Sequence, residues 1–209
     1  TELSKQGYGN IERLSGVDRY ETAIAVVEKA NIEPGTPVAV ISGESFPDAL
    51  SAASLTASKQ YPILLVSHNE LPEKAKTYLL NNKPAVVYIV GGTAAVSQSV
   101  EAQIREVLPA AELKRFAGND RFDTASAVSG ELSANPGTIY LANGFSYSDG
   151  IAGSALAAKN GDPILLIDPL LPTLPPAVET YLKKLSDSGS RPMIRALGGD
   201  VAVPDSLIK

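Results

Sequence analysis

Arg13-Leu14-Ser15-Gly16-Val17-Asp18-Arg19-Tyr20-Glu21-Thr22-Ala23 returns later in the chain as Arg115-Phe116-Ala117-Gly118-Asn119-Asp120-Arg121-Phe122-Asp123-Thr124-Ala125. The offset is 102 residues (115 minus 13), and Arg, Gly, Asp-Arg, an aromatic ring and Thr-Ala recur in register. Self-similarity at a fixed spacing decides an architecture ahead of any local propensity. The echo continues. Phe46-Pro47-Asp48-Ala49-Leu50 pairs with Tyr147-Ser148-Asp149-Gly150-Ile151, and Pro62-Ile63-Leu64-Leu65-Val66 pairs with Pro163-Ile164-Leu165-Leu166-Ile167. Leu71-Pro72 through Tyr78-Leu79 matches Leu174-Pro175 through Tyr181-Leu182. Val90-Gly91-Gly92 with Val96 matches Leu197-Gly198-Gly199 with Val203. The chain therefore reads as two copies of one unit, residues 10–108 and 109–209, joined by the short Pro109-Ala110-Ala111-Glu112 that keeps them packed together.

Within a copy the pattern alternates. Ile11 to Leu14 is a short strand candidate turning at Gly16, and Asp18 starts a helix whose Tyr20, Ala23, Ile24, Val27 and Ala30 form one apolar stripe. Val38 to Ile41 is apolar without alternation, as a strand covered on both faces should be. The helix from Phe46 to about Gln60 is rich in small residues (Ala49, Ala52, Ala53, Ala57) and suited to close packing. Ile63 to Val66 is a further buried strand, a helix follows from Pro72 to Leu80, Ala85 to Val90 is the last strand, and Ser97 to Leu108 the fourth helix. Strand and helix in strict alternation imply a mainly parallel sheet with helices on both faces, a three-layer α/β/α unit. The second copy repeats this order, with a first helix weakened by Ser126, Ser129 and Gly130 and a fourth helix barely begun at Asp205.

Composition narrows the function. A chain of 209 residues with 44% hydrophobic and 20% charged residues is an ordinary globule, large enough for a core in each copy. A net charge of −5 argues against a general nucleic-acid binder. The absence of cysteine excludes disulfides, thiol chemistry and cysteine-ligated zinc. No apolar run reaches the 18 or so residues that span a bilayer, and no signal peptide precedes Thr1, so the chain reads as a mature or excised fragment. His68 is the single histidine, read as a solvent-facing loop residue, and the apolar strands carry no acids at their ends. Neither a catalytic triad nor a metal site is expected, nor any cofactor.

The doubled R-x-x-G-x-D-R-[YF]-x-T-A stretch, the later x-D-[AG]-[LI] turn, the P-I-L-L strand and the G-G-x-x-x-V close, four motifs in order and twice over, resemble the type 2 cell-wall-binding repeats of Gram-positive surface proteins. The likeness covers about residues 10 to 208. It implies a Rossmann-like or toprim-like α/β unit and a non-enzymatic anchor. Such an anchor holds a surface protein non-covalently, outside the cell, to an anionic cell-wall polysaccharide or teichoic-acid-like polymer. It also implies units in threes around a pseudo-threefold axis. Since this chain holds two, a third unit or a homo-oligomer is expected to supply the remainder. Self-assembly without polymer recognition is the alternative function.

With a negative net charge, an anion must be gripped in a confined pocket. Arg13, Arg19, Arg115 and Arg121 offer planar forks for phosphate or carboxylate, with internal pairing as the plain alternative. The turns at Gly43, at Gly91 and Gly92, and at Gly198 and Gly199 sit where strands deliver the chain to helix N-termini, where backbone N–H groups attract anions. Asp48 and Asp149 open the second helix of each copy and serve either the helix dipole or a sugar hydroxyl. Ser45 and Ser146 are helix-cap candidates, and Tyr20 and Phe122 are core candidates ahead of a sugar-stacking platform.

Overall fold

Apolar strands that need cover on both faces, alternating with helices that each present one apolar face, leave few arrangements open. The computed structural model, which describes residues 2–133 and 135–208, shows the one taken. A short α1 (Glu2–Lys5) leads into an irregular stretch, followed by α2 (Arg19–Lys29), β1 (Val38–Ser42), α3 (Phe46–Ser58), β2 (Ile63–Val66), α4 (Glu73–Asn82), β3 (Val86–Val90) and α5 (Gln98–Val107). The second copy supplies β4 (Glu112–Phe116), α6 (Arg121–Leu132), β5 (Thr138–Asn143), α7 (Ser148–Asn160), β6 (Ile164–Ile167), α8 (Pro176–Asp187), β7 (Met193–Ala196) and a 3₁₀ turn, Asp205–Leu207, where the first copy has α5.

Both sheets are wholly parallel, in the orders β2-β1-β3-β4 and β6-β5-β7. One strand crosses between copies. β4 follows residue 109 in the chain, yet it pairs with β3 from Val86 opposite Glu112 to Val90 opposite Phe116. Its counterpart, the strand expected at Ile11 to Leu14, does not form, and those residues are irregular and exposed. The sequence of the two segments is similar; the difference is the neighbour. β4 meets the open edge of β3, whereas residues 11–14 have no sheet edge beside them.

The cores interleave. One face of the first sheet packs on α2, α4 and α5 through Ile24, Val27, Leu79, Val100 and Ile104. Its other face, Ala39 and Ile41, meets Leu55 of α3 together with Val128 of α6, a helix of the second copy. In return, Leu50 of α3 enters the second copy's core beside Tyr140, Ala142, Ile164 and Leu166. A side chain at Gly150 would sit 2.5 Å from Leu50 Cδ2, so that glycine makes the room. Three buried hydroxyls of these close-packed helices are satisfied locally, whereas those of Ser54 and Ser126 are buried without a partner. Ser51, Thr56 and Ser129 donate their hydroxyls to the carbonyls of Pro47, Ala52 and Ala125, which removes the cost of burying them. Pro72 and Pro175 stand at the cap position before α4 and α8, one residue earlier than the first turn where the sequence places Pro72.

Candidate functional site

The repeated motif explains itself residue by residue, with the same geometry in both copies. Asp18 accepts the Glu21 amide at 2.8 Å, and Asp120 accepts those of Phe122 and Asp123 at 2.8 and 2.9 Å, capping α2 and α6. Thr22 and Thr124 each accept the amide of the motif glycine and donate to the carbonyl of the capping aspartate. Gly16 and Gly118 are glycine because a Cβ there would collide with the Cβ of Glu21 and of Asp123. The second arginine reaches across to the turn after the next strand, with Arg19 Nη1 to Gly43 O and Arg121 Nη1 to Gly144 O both at 2.6 Å. The aromatic residues cover the same turns, since a Cβ on Gly43 or Gly144 would lie 2.7 Å from the ring of Tyr20 or Phe122. Both rings are half-buried.

Where the copies meet, these pieces enclose a polar cleft of about 380 Å³. The first copy lines it with Ser42, Glu44, Ser45, Asp48 and Gly92, and the second with Gly118, Asn119, Asp120 and Arg121. Asp48 is 8% exposed at its base. Burial pushes its carboxyl up from the ordinary value, and Arg121 opposes that rise. Arg121 also lies over the Phe145 ring, 4.8 Å from its centre. The cleft thus combines three carboxyl groups, Glu44, Asp48 and Asp120, with one guanidinium, a set that accepts hydroxyl hydrogens at several points and holds a negative group at one.

The other sequence candidates distribute around it. Gly91 lies behind the cleft, where a Cβ would meet Asp48 Oδ2 at 2.5 Å, and its φ of +114° suits only glycine. Its amide donates to Phe116 O, and that of Gly43 to Val66 O, so both N–H groups serve the sheet. Arg115 is also held inside, donating to Gly91 O and Val96 O at 2.9 Å each and to Glu101 at 3.1 Å. That pairing with Glu101 joins Arg105 in holding the Glu101 carboxyl below its usual range, with Arg105 the larger influence. Arg13, Asp149, Gly198 and Gly199 lie outside the cleft and exposed. Ser45 occupies the cap position of α3 without a side-chain cap bond, and Tyr147, not Ser146, stands at that of α7. Sequence reasoning passed over Asn119 and Asp120, which line the cleft from the motif positions between glycine and arginine. His68 corrects the expectation of a solvent-facing residue. It is half-buried, its carbonyl accepts the Ser97 amide, and its Nδ1 is buried without a partner. Burial came from the docking of the β2–α4 loop on the start of α5, a contact that local sequence does not show.

Two parallel α/β units, the second lending a strand to the first's sheet and both sharing helices around one polar cleft, define a duplicated repeat protein. The chain belongs to the family described as cell wall binding domain 2 (CWB2), whose family model matches residues 13–101 and 115–208, each match starting at the first arginine of the motif. Among curated proteins it is 38% identical over 156 residues to the N-acetylmuramoyl-L-alanine amidase LytC of Bacillus subtilis (strain 168), covering 75% of this chain and 31% of that protein. It is 29% identical over 166 residues to the amidase enhancer of the same organism, covering 79% of this chain and 22% of that one. Among solved structures, Cwp6 from Clostridium difficile superposes with a TM-score of 0.83 at 27% identity over 93% of this chain and 30% of that chain. Cwp8 from Clostridium difficile gives 0.80 at 27% over 99% and 34%. The chain spans about a third or less of the length of each of these relatives. No helix among the described residues is long and apolar enough to cross a membrane.

Proposed function

We propose that the chain is a non-catalytic module that holds a protein at the cell surface by gripping an anionic wall polymer in the cleft between the copies. The observation that carries this reading is the membership of both copies in a family of cell wall binding domains. The cleft is the place because both copies build it and because its chemistry suits a charged glycan: Glu44, Asp48 and Asp120 accept sugar hydroxyls while Arg121 pairs with one phosphate or carboxylate. Arg19, bound to the Gly43 turn as Arg121 is to the Gly144 turn, offers a second contact of the same kind. With a net charge of −5 the grip acts at short range, through these guanidinium groups and the hydroxyl-accepting carboxyls.

The test is retention of the chain on purified Bacillus walls, before and after hydrofluoric acid has removed the phosphodiester-linked anionic polymer. Retention on intact walls, its decline with rising salt, and its loss after extraction are the expected results. Arg121→Gln should weaken binding by about tenfold, the worth of one charge-assisted contact of roughly 1.4 kcal/mol. Equal binding to stripped peptidoglycan would contradict the ligand class.

A further inference from the structure

We propose that Phe145 is a sugar-stacking residue at the rim of the cleft, and that the polymer held there carries a pyranose ring next to the anionic group on Arg121. This inference rests on the reading of the cleft as a polymer site. It narrows the ligand to a chain of cyclic sugars, as opposed to one of open-chain polyols. The Phe145 ring is 54% exposed, and the guanidinium carbon of Arg121 lies 4.8 Å from its centre. Arg121 lines the cleft, so the ring stands one side chain away from the place where the charge is held. One apolar ring in water would mean little by itself. The comparison between the copies gives it weight.

The first copy has Glu44 at this position, following Gly43 as Phe145 follows Gly144. Glu44 is exposed and lines the cleft even though the second copy stands against that turn, so the position belongs to a rim and not to a buried junction. The exchange of residues is concerted with a neighbour. In the first copy, burial and then the Glu44 carboxylate beside its hydroxyl hold the Tyr20 pKa above its usual value. In the second, Phe122 replaces that phenol and packs edge-to-face with Phe145, ring centres 6.0 Å apart at 73°. A polar pair has become an aromatic pair. The turn that carries the new ring is braced. The Phe145 amide donates to Asn143 Oδ1 and the Gly144 amide to Ile167 O, both at 2.8 Å, while Gly144 O accepts Arg121 Nη1. An aromatic side chain with two torsions on a fixed turn gives up little freedom on binding. The slightly positive C–H face of a pyranose meets the negative face of such a ring, and the carboxyls of Glu44, Asp48 and Asp120 accept hydroxyl hydrogens nearby. An open-chain polyol has no flat C–H face to offer and loses more torsional freedom when held.

The test compares two oligomers of equal charge, hexose units joined by phosphodiesters and glycerol units joined the same way. Each is titrated into the chain by calorimetry, with proton NMR of the bound oligomer. The hexose oligomer should bind about fivefold more tightly, and its ring protons should move upfield in the ring current of Phe145. Phe145→Ala, at an exposed position, should keep the circular dichroism spectrum, erase both the preference and the upfield shift, and leave binding of the glycerol oligomer unchanged. Phe145→Tyr should retain the preference and the shift, and Arg121→Gln should weaken the two oligomers alike. Equal affinity for the two, a preference that survives Phe145→Ala, or an equal loss for both oligomers in that variant would overturn the stacking role and leave the polymer-binding reading in place. Binding to intact walls but to neither oligomer would do the same. A chain retained by neither oligomers nor walls would overturn that reading and the stacking role with it.

Discussion

Arg13 and Arg115 hold the same position of the repeat and live in different surroundings. The Arg115 guanidinium ties two turn carbonyls and Glu101 together beneath the β3–β4 edge, while Arg13 is exposed. Arg115→Ala strands those carbonyls and a half-buried carboxylate, and should cost about 2–4 kcal/mol in urea denaturation. Arg13→Ala in dilute solution should cost less than about 0.5 kcal/mol. Asp48 makes a pH prediction. Its folded pKa is raised above the ordinary 3.8, chiefly by burial. A carboxyl raised in the folded state adds stability that is complete below the unfolded pKa and is lost as pH rises through the folded one. Asp48→Asn has no such loss. Its urea midpoint relative to the parent should therefore climb as pH rises from about 3.8 through the folded pKa and then level off; a flat difference across that range would contradict the burial of the charge.

At the scale of elements, the duplication in the sequence disclosed nearly all the helices and strands, because periodicity, proline and glycine are local signals. It did not disclose where a strand would find its partner. Residues 11–14 and 112–116 read alike, yet only the second pairs, since pairing depends on an edge far away in the chain. The cleft was legible in part. Asp48 and Arg121 stood out by residue type, but the commitment of Arg115 and of the Gly43 and Gly91 amides to the fold is a matter of which groups the tertiary contacts consume. The small-residue character of α3 was a truer signal. It packs on α6, α7 and β6 as well as on its own sheet, and Leu50 sits 3% exposed among residues of the other copy. Leu50→Ala should cost about 2–5 kcal/mol, the range for a buried leucine whose site cannot collapse. The same change at Ile151, its exposed counterpart on α7, should be close to neutral in dilute solution.

For the molecule as a whole, interleaved helices and a strand lent by the second copy to the first mean that neither copy has a complete core alone. Calorimetry should therefore show one transition with equal calorimetric and van't Hoff enthalpies. Leu50→Asp, which places an unpaired charge in the shared core, should lower that transition sharply or split it in two. The shared cleft follows from the same interleaving: it exists only while α6 of one copy stands over Asp48 of the other.

β4 has a consequence for how the chain is made. A polypeptide leaves the ribosome from its amino end, and the first sheet lacks its outer strand until Phe116 has emerged. Nascent chains stalled with residue 108 just outside the exit tunnel should remain protease-sensitive around Val86–Val90, and those extended past residue 118 should resist. Translation thus passes through a stage in which the earlier half waits, with an unfinished rim, for the opening residues of the later one.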